Sequence, residues 1–253
     1  QLVVDQRASH HLKSHIYANW LNSDPTQNPL PEFPILSLVI SGGHTQIIRM
    51  QSHNHFEIIG TTRDDAIGEV FDKVAKILGL PYPGGPSIAE AALSGDPKKY
   101  PLPHPRVDDL DFSFSGLKTA VLRSIQKELN LPISFPSHEL AAKLTKKQIA
   151  DFAASFQSTA TDILIEKLDK ARKLYPPKSI VIAGGVSANT ALREKLESTI
   201  KKWNAKTPIS LFIPDIQFST DNAAMVGSAA FFSITSGQPP ISPYELDISL
   251  AQS

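Results

Sequence analysis

The sequence predicts an α/β fold, in which strands and helices alternate along most of the 253 residues. Two apolar strand-like runs, 35–41 and 179–183, each lead directly into a Gly-Gly pair. Amphipathic segments with helical spacing lie between such runs, and the segment 64–79 has the clearest pattern. This alternation favours a sheet covered by helices over an all-helical or all-strand protein.

The chain begins with a predicted helix, a loop and three strands. The segment 9–21 is predicted to be a short helix, and the four prolines of 22–34 indicate a loop. Apolar residues predict strands at 35–41, 45–50 and 56–60, and the first two flank a Gly-Gly turn in a hairpin-like unit.

Helices dominate the next part of the chain. Apolar residues recur at helical spacing over 64–79, and Gly79 is a C-terminal stop signal. A rigid turn is predicted at 82–86, a short helix at 87–95 and a Pro-rich loop at 97–105.

The second half alternates between helical and strand patterns. The predicted elements are helices at 117–129, 148–174 (allowing one break), 189–202 and 220–234, and strands at 179–183 and 209–213. FSFSG at 112–116 leads into the first of these helices, and Thr220 is the predicted N-cap of the last one. The Pro-rich tail from Gly237 is predicted to lie on the surface.

Composition narrows the class of protein. Apolar residues make up 41% of the chain, and no apolar run approaches the roughly 20 residues of a membrane helix, so no membrane association is expected. Without cysteine, a metal would need His, Asp or Glu ligands. The net charge is zero, but residues 111–210 hold 16 Lys or Arg against 9 Asp or Glu. This basic segment indicates either a nucleic-acid footprint or the solvated faces of Lys-rich helices.

The two Gly-Gly pairs are the first candidates for binding chemistry. Glycines at a strand end let the backbone approach a ligand and point N–H groups at it, so two such turns predict a phosphate group held from two sides. Two ordinary loops are the alternative. Asn189 follows Gly184-Gly185 at a predicted helix start, which is an anion site, an N-cap or both.

His11 and His15 are candidate metal ligands. A spacing of four places both imidazoles on one face of a helix, although two surface histidines would give the same pattern. The chain lacks the H-E-x-x-H motif of zinc peptidases, because Leu12 follows the first histidine. Asp221, at a predicted helix start, is one of many candidates for a third ligand.

Four acidic residues lie in the pattern of the 64–79 helix: Asp64, Asp65, Glu69 and Asp72. A polar helix face explains most of them. Asp72 lies at the boundary of the apolar stripe, from which a carboxylate could accept hydrogen bonds from ribose hydroxyls.

Six blocks occur together and in order: HHLKSH (10–15), LVISGGHTQ (38–46), DDAIGEVFDKVAKILGLPYPGGP (64–86), FSFSGLKTAV (112–121), IAGGVSANTALR (182–193) and STDNAAMVG (219–227). With these blocks the chain resembles the tRNA threonylcarbamoyladenosine transferase family, in wording closest to its bacterial or mitochondrial type. The resemblance spans residues 9 to about 230.

The resemblance implies the fold of the actin, sugar-kinase and Hsp70 ATPase superfamily, with two α/β lobes around a nucleotide cleft. It divides the chain into a remainder of the N-terminal lobe with the metal-binding helix (1–33), a C-terminal lobe (34–218) and a helix and tail returning to the first lobe (219–253). The strand and acidic motif with which the family begins are missing, so a truncated chain with an incomplete first lobe is expected.

The resemblance also implies a set of site residues. The metal ligands would be His11, His15 and Asp221, and the substrate-binding residues would be Val39, Ile40, Ser41, Gly42, Gly43, Asp72, Gly85 and Asn189. No side chain is assigned as a catalytic group. One divalent metal per subunit is implied, Fe²⁺ first and Zn²⁺ or Mg²⁺ as alternatives. Lys13 and Ser14 replace the Glu and Gly that the family has between the two histidines.

The implied activity transfers a threonylcarbamoyl group from threonylcarbamoyl-AMP to the exocyclic amine of an adenosine in tRNA. That adenosine lies just 3′ of the anticodon in tRNAs reading codons that begin with A. The implied partners of a bacterial member are an inactive paralogue and a small P-loop ATPase. The implied location is the cytoplasm, or the mitochondrial matrix for an organellar form.

Three other functions are compatible with parts of the pattern. A small-molecule kinase of the same superfamily would need a catalytic carboxylate but no histidine pair. A metallopeptidase, an old label of this family, would use the H-x-x-x-H spacing. A non-catalytic scaffold paralogue would be expected to lose the metal ligands, which this chain keeps.

Overall fold

One mixed sheet organises the protein. The computed structural model describes residues 11–21, 29–105, 107, 109–205 and 208–237. Among them, no helix combines the length and the apolar character needed to cross a lipid bilayer.

The sheet has five strands in the order β3-β2-β1-β4-β5. Their bounds are Ile35–Ile40 (β1), Thr45–Ser52 (β2), His55–Thr61 (β3), Ser179–Ala183 (β4) and Ser210–Phe212 (β5). The first three strands form an antiparallel meander, whereas β4 runs parallel to both β1 and β5. The parallel pairs require crossover connections, which the helices provide.

The helices lie before, between and after these strands. Their bounds are His11–Tyr17 (α1), Ile67–Ile77 (α2), Gly84–Ala92 (α3), Ser115–Glu128 (α4), Lys146–Leu174 (α5), Thr190–Asn204 (α6), Ile216–Ser219 (α7) and Ala223–Thr235 (α8). Short 3₁₀ turns follow α1 and precede α6.

Both faces of the central strands are buried. In β1, Leu36, Leu38 and Ile40 pack on the helical layer of α2 to α6, and Ile35 and Val39 pack on the layer of α1 and α8. Alternate side chains of a strand point to opposite faces, so a strand buried on both sides must be apolar throughout. This explains the continuous apolar run of the sequence and confirms the predicted α/β layering.

The five predicted strands are confirmed, with ends that differ by one or two residues. Three helix starts were wrong. Helix α2 begins at Ile67 and not at Asp64, because the Asp64 carboxylate accepts hydrogen bonds from residues 113–115 and is held in the bend that precedes the helix. Helix α3 begins at Gly84, inside the predicted turn, where the Gly84 N–H donates to Asp72. The longest helix, α5, has no break.

The predicted helix over 220–234 is α8, which begins three residues later at Ala223, and Thr220 is not its N-cap. Thr220 is extended, with ψ 173°, and lies between α7 and α8. The cap of α8 is Asn222, whose side chain accepts a hydrogen bond from the Met225 N–H. Asn and Thr are both good caps, so local propensity alone did not decide between them.

Some predictions concern residues outside the described part of the chain, at 9–10, 22–28 and 238–253. The division of the chain into a first lobe, a C-terminal lobe and a returning helix stays a prediction.

The backbone at Gly184, just after β4, lies very close to the end of β1. Its φ of 88° is in the left-handed region, and a Cβ there would overlap the Ile40 carbonyl group. We expect Gly184→Ala to lower the free energy of unfolding by about 2 kcal/mol or more, measured by urea denaturation.

Gly43→Ala is the matched control for that substitution. A Cβ at Gly43 meets no heavy atom within 4 Å, and its backbone is outside the left-handed region. Its unfolding free energy should stay within about 0.5 kcal/mol of the parent value. Equal losses in the two variants would contradict the close approach.

Candidate functional site

The two Gly-Gly turns lie side by side at one edge of the sheet. Strands β1 and β4 are parallel neighbours, and Val39 pairs with Ala183 immediately before the turns. Strand β1 has the antiparallel strand β2, to which the chain next turns, on one side and the parallel strand β4 on the other. Such a switch point at the carboxyl ends of parallel strands is where α/β sheets bind ligands.

The first turn presents its backbone to open space. Ser41 and His44 close the turn, because the Ser41 N–H donates to the His44 carbonyl oxygen at 2.8 Å. Gly42 and Gly43 are exposed, and no heavy atom would touch a Cβ on either. Within the described residues, neither glycine N–H has a hydrogen-bond acceptor. Two free N–H groups in a glycine turn can receive an anion.

Asn189 acts as the N-cap of α6 after the second turn. Its Oδ1 accepts from the Leu192 N–H at 3.0 Å, and its Nδ2 donates to Gln157 Oε1 at 2.8 Å. The capping role is therefore confirmed. The amide keeps one acceptor lone pair and one N–H, so it can also contact a ligand.

Asp72 and Gly85 meet at the start of α3. One Asp72 oxygen accepts the Gly84 N–H at 2.7 Å, and a Cβ on Gly85 would face open space. Helix α2, which carries Asp72, begins against the first turn, where the Gly68 N–H donates to the Ser41 carbonyl oxygen. The fold thus brings the predicted ribose-side positions to the edge where the turns lie.

His11, His15 and Asp221 form one cluster. The Nε2 atoms of the two histidines lie 3.4 Å and 3.1 Å from the same Asp221 carboxylate oxygen. One ligand atom from each of the three residues lies within 4.8 Å of the other two. Two imidazoles and a carboxylate suit Fe²⁺ or Zn²⁺, whereas Mg²⁺ prefers oxygen ligands alone.

Burial favours the neutral form of the His15 side chain. The side chain of His15 is only 3% exposed, whereas those of His11 and Asp221 are 55% and 75% exposed. Burial lowers the pKa of His15 and His11 lowers it further, although Asp221 opposes both effects. The neutral imidazole is the form that binds a metal. The other two residues of the cluster, His11 and Asp221, face solvent.

A third histidine lies near this cluster. His44, at the end of the first turn, has its pKa lowered by burial and by the charge of His11. The first glycine turn and the histidine pair are therefore neighbours. His44 was not predicted as a site residue, because its only signal was its place directly after Gly43.

Comparison with known proteins gives the family. The model of the family described as TsaD, tRNA N6-adenosine threonylcarbamoyltransferase, matches residues 7–228. The chain belongs to the TsaD family. This confirms the resemblance inferred from the six sequence blocks.

Relatives of this name occur in several organisms. The protein from Christiangramia forsetii is 46% identical over 87% of this chain and 61% of its own length. The protein from Halalkalibacterium halodurans is also 46% identical, over 87% of this chain and 58% of its own length. The chain thus spans about three-fifths of the length of these TsaD relatives.

A solved structure supports the fold at low sequence identity. Full-length HypF, in its phosphate- and nucleotide-bound form, matches with a TM-score of 0.62 and 13% identity, over 91% of this chain and 36% of HypF. The similarity confirms the predicted α/β fold of the actin-like ATPase type.

Lys13 is one of the two departures from the TsaD pattern between the histidines. Its ammonium lies 4.0 Å from the centre of the Phe56 ring, a cation–π contact with β3. Burial lowers the pKa of Lys13. The second departure, Ser14, is buried beside His15. Both replacements are accommodated within the packing of α1, and the two histidines keep their common face.

Paired charges offset part of the basic middle segment. Within the described residues, at least six of its basic side chains form ion pairs: Lys147, Lys170, Arg172, Lys173, Lys178 and Lys195. This favours the interpretation as solvated helix faces over a continuous nucleic-acid footprint.

Asp64 has a role that its place in the sequence did not indicate. Its carboxylate accepts from the hydroxyls of Ser113 and Ser115, both at 2.6 Å, and from the Phe114 N–H at 2.7 Å. Burial opposes ionisation, but these hydrogen bonds outweigh it and hold the pKa of Asp64 below its ordinary value. The FSFSG block is thereby fixed beside the start of α2. Asp65 and Glu69, by contrast, pair with Lys73 on the helix surface.

Asp64→Asn should destabilise the protein in a pH-dependent way. The lowered pKa means that ionised Asp64 adds stability above the unfolded-chain pKa of about 4, and that this stability is lost as the pH falls through the folded pKa. We expect a loss of about 1 kcal/mol at pH 7, narrowing below about pH 4, in urea titrations at several pH values.

Asp65→Asn serves as the control for this comparison. Asp65 pairs with the partly exposed Lys73 ammonium at 2.8 Å, and ion pairs near the surface contribute little. Its loss should stay within about 0.5 kcal/mol. A pH-independent loss in Asp64→Asn would contradict the role of the carboxylate charge.

Proposed function

We propose that this protein transfers the threonylcarbamoyl group of threonylcarbamoyl-AMP to the exocyclic amine of an adenosine in tRNA. The acceptor would be the adenosine 3′ of the anticodon in tRNAs reading codons that begin with A. Membership of the TsaD family and the names of the relatives support the reaction class.

The observation that carries the proposal is the placement of a three-ligand cluster beside the two glycine turns. A Cβ on Gly185 would lie 3.9 Å from Thr220, the residue before Asp221. The charge of His11 also lowers the pKa of His44, at the end of the first turn. An anion held by the turns would thus lie next to the cluster, as a donor with a phosphate and a carbamoyl group requires.

In this reaction the adenine amine attacks the carbamoyl carbon, the bond from that carbon to the phosphate oxygen breaks, and AMP leaves. The amine gives up one proton. The backbone N–H groups of Gly42 and Gly43 would hold the phosphate and stabilise the charge on departing AMP. Asp72, Gly85 and Asn189 would bind the nucleoside part, and Val39, Ile40 and Ser41 would complete the first loop. No side-chain nucleophile is required, so orientation of the two reactants supplies much of the acceleration.

His11, His15 and Asp221 would hold one divalent metal per subunit, Fe²⁺ first and Zn²⁺ second. When bound, such an ion supplies Lewis-acid polarisation of phosphate or carbamoyl oxygens. Buried His15 would provide the fixed ligand. The exposed His11 and Asp221 would leave a coordination position that faces the substrate.

The partners and location follow from the same proposal. The relatives compared are bacterial, which favours the bacterial set of tRNA, an inactive paralogue subunit and a small P-loop ATPase, acting in the cytoplasm. The mitochondrial matrix is the corresponding place for an organellar form.

The other candidate functions have less support. The relatives are named as transferases, which favours neither the kinase nor the metallopeptidase. The intact cluster of His11, His15 and Asp221 speaks against a scaffold that has lost its metal ligands.

Removing a proposed ligand should abolish metal binding. We expect His15→Ala and Asp221→Ala to weaken Zn²⁺ binding at least about 100-fold, since changes around a metal site already cost up to that much. His104→Ala is the control, because His104 pairs with Glu166 on the surface. Competition with a chromophoric chelator measures the affinity, and parent-like Zn²⁺ binding by both ligand variants would refute the ligand set.

Transfer itself is measured with threonylcarbamoyl-AMP labelled in its threonine. The label should enter a tRNA that reads codons beginning with A, and not the same tRNA with guanosine in place of the acceptor adenosine. In His15→Ala we expect the rate to fall about 100-fold or more, and in His104→Ala to stay at the parent level. Labelling of the guanosine tRNA, or full activity of His15→Ala, would contradict the proposal.

A further inference from the structure

Arg193 joins two segments that meet at the site. It lies in the first turn of α6, and its Nε donates to the Ser187 carbonyl oxygen at 2.6 Å. Its Nη2 donates to the Pro214 carbonyl oxygen at 2.7 Å and to Ser219 Oγ at 3.2 Å. One planar guanidinium therefore holds two loops in a fixed relative position.

The first of these segments is the second glycine turn. Ser187 is fully buried, and its N–H donates to the Gly184 carbonyl oxygen at 2.9 Å. The Asn189 backbone carbonyl in turn accepts the N–H of Arg193. Both the guanidinium and the backbone N–H of Arg193 therefore donate hydrogen bonds to the segment that follows the second glycine pair.

The other segment leads to Asp221. Ser219 is fully buried, and its hydroxyl donates to the Asp215 carbonyl oxygen at 3.3 Å, which leaves its oxygen to accept from Arg193. The Asp221 side chain is 75% exposed, so packing around that side chain does not position it. Its place depends on the backbone between Pro214 and Asn222.

The partners of the Arg193 guanidinium are neutral. Within the described residues, no carboxylate lies within ion-pair distance, although Asp215 and Glu197 are close enough to raise its pKa against the larger lowering effect of burial. A surface arginine would pair with a carboxylate or extend into water. Arg193 is half-buried, and its guanidinium donates hydrogen bonds to backbone carbonyls and to a buried hydroxyl.

We propose that Arg193 is a positioning residue that ties the second glycine turn to the segment carrying Asp221, so that the third metal ligand stays aligned with His11 and His15. The inference rests on the proposed metal site, and it goes further because no comparison or motif assigns Arg193 a role. It couples the phosphate-binding turn to the metal centre through one side chain.

The test measures Zn²⁺ affinity of the full 253-residue chain with a competing chromophoric chelator. Arg193→Gln and Arg193→Lys should each bind Zn²⁺ about 10-fold more weakly than the parent, as changes in groups that support metal ligands do. The lysine variant keeps the charge but cannot donate in two fixed directions, so it separates the fork geometry from the charge.

Arg172→Gln is the matched control. Arg172 bonds Asp169 at 2.8 Å and lies 4.1 Å over the Trp203 ring, so its loss also removes arginine contacts from a helix, but away from the site. It should bind Zn²⁺ like the parent. Amide hydrogen exchange of residues 214–222 should become faster in Arg193→Gln and not in Arg172→Gln.

A folded Arg193→Gln with parent affinity, or an equal loss in Arg172→Gln, would overturn the inference. If Arg193→Gln does not fold, the Zn²⁺ affinity of Ser219→Ala is the deciding measurement, because this variant removes one hydrogen-bond acceptor of the Arg193 guanidinium. A reduced Zn²⁺ affinity in Ser219→Ala supports the inference, and an unchanged affinity overturns it. Parent-like binding by His15→Ala would mean that the metal site itself fails, and both proposals with it. If His15→Ala loses Zn²⁺ affinity and Arg193→Gln does not, only the positioning role of Arg193 is overturned.

Discussion

The parallel pairing of β1 with β4 is the constraint on which the rest of the structure depends. Five residue pairs, from Ile35 with Ser179 to Val39 with Ala183, fix the register between two segments that are far apart in sequence. That register ends both strands at the same edge, immediately before a glycine pair. Gly184 then passes so close to Ile40 that only a residue without Cβ fits there. A one-residue shift of the register would offset the turns and move every side chain of the shifted strand to the opposite face.

Two-sided burial of these strands connects the parts of the site. The face with Leu38 packs under α2, which carries Asp72, and the face with Val39 packs under α1, which carries the histidines. The same rigid strand pair thus supports the helix with the proposed nucleoside-binding position and the helix with the two proposed histidine ligands. On the second face, α8 joins α1 through the stacked rings of Tyr17 and Phe232, 5.2 Å apart. Asp221 lies two residues before α8 begins at Ala223.

Local signals predicted most of the fold, and long-range contacts decided what they missed. Strands and long helices were predictable, because the periodic pattern of apolar residues that identifies them is contained in a short stretch of sequence. The spacing of His11 and His15 predicted a shared face, but only the family resemblance selected Asp221 from the other acidic residues. Asp64 was assigned to a helix face, because nothing near it in sequence indicates the Ser and Phe donors about 50 residues away. The start of α8 was misplaced because two adequate capping residues lie two positions apart, and tertiary contacts chose the second.

The metal cluster joins residues near opposite ends of the described chain, since His15 and Asp221 are separated by about 200 residues. Closing a loop of that length is entropically costly, and the cost is met only after the sheet between the two ends has formed. During synthesis, a ribosome-bound chain that stops before residue 221 carries the histidine pair but not the third ligand. High-affinity binding of the proposed ion would therefore require the finished fold, and a bound ion would mark a polypeptide that has been both translated through α8 and correctly assembled.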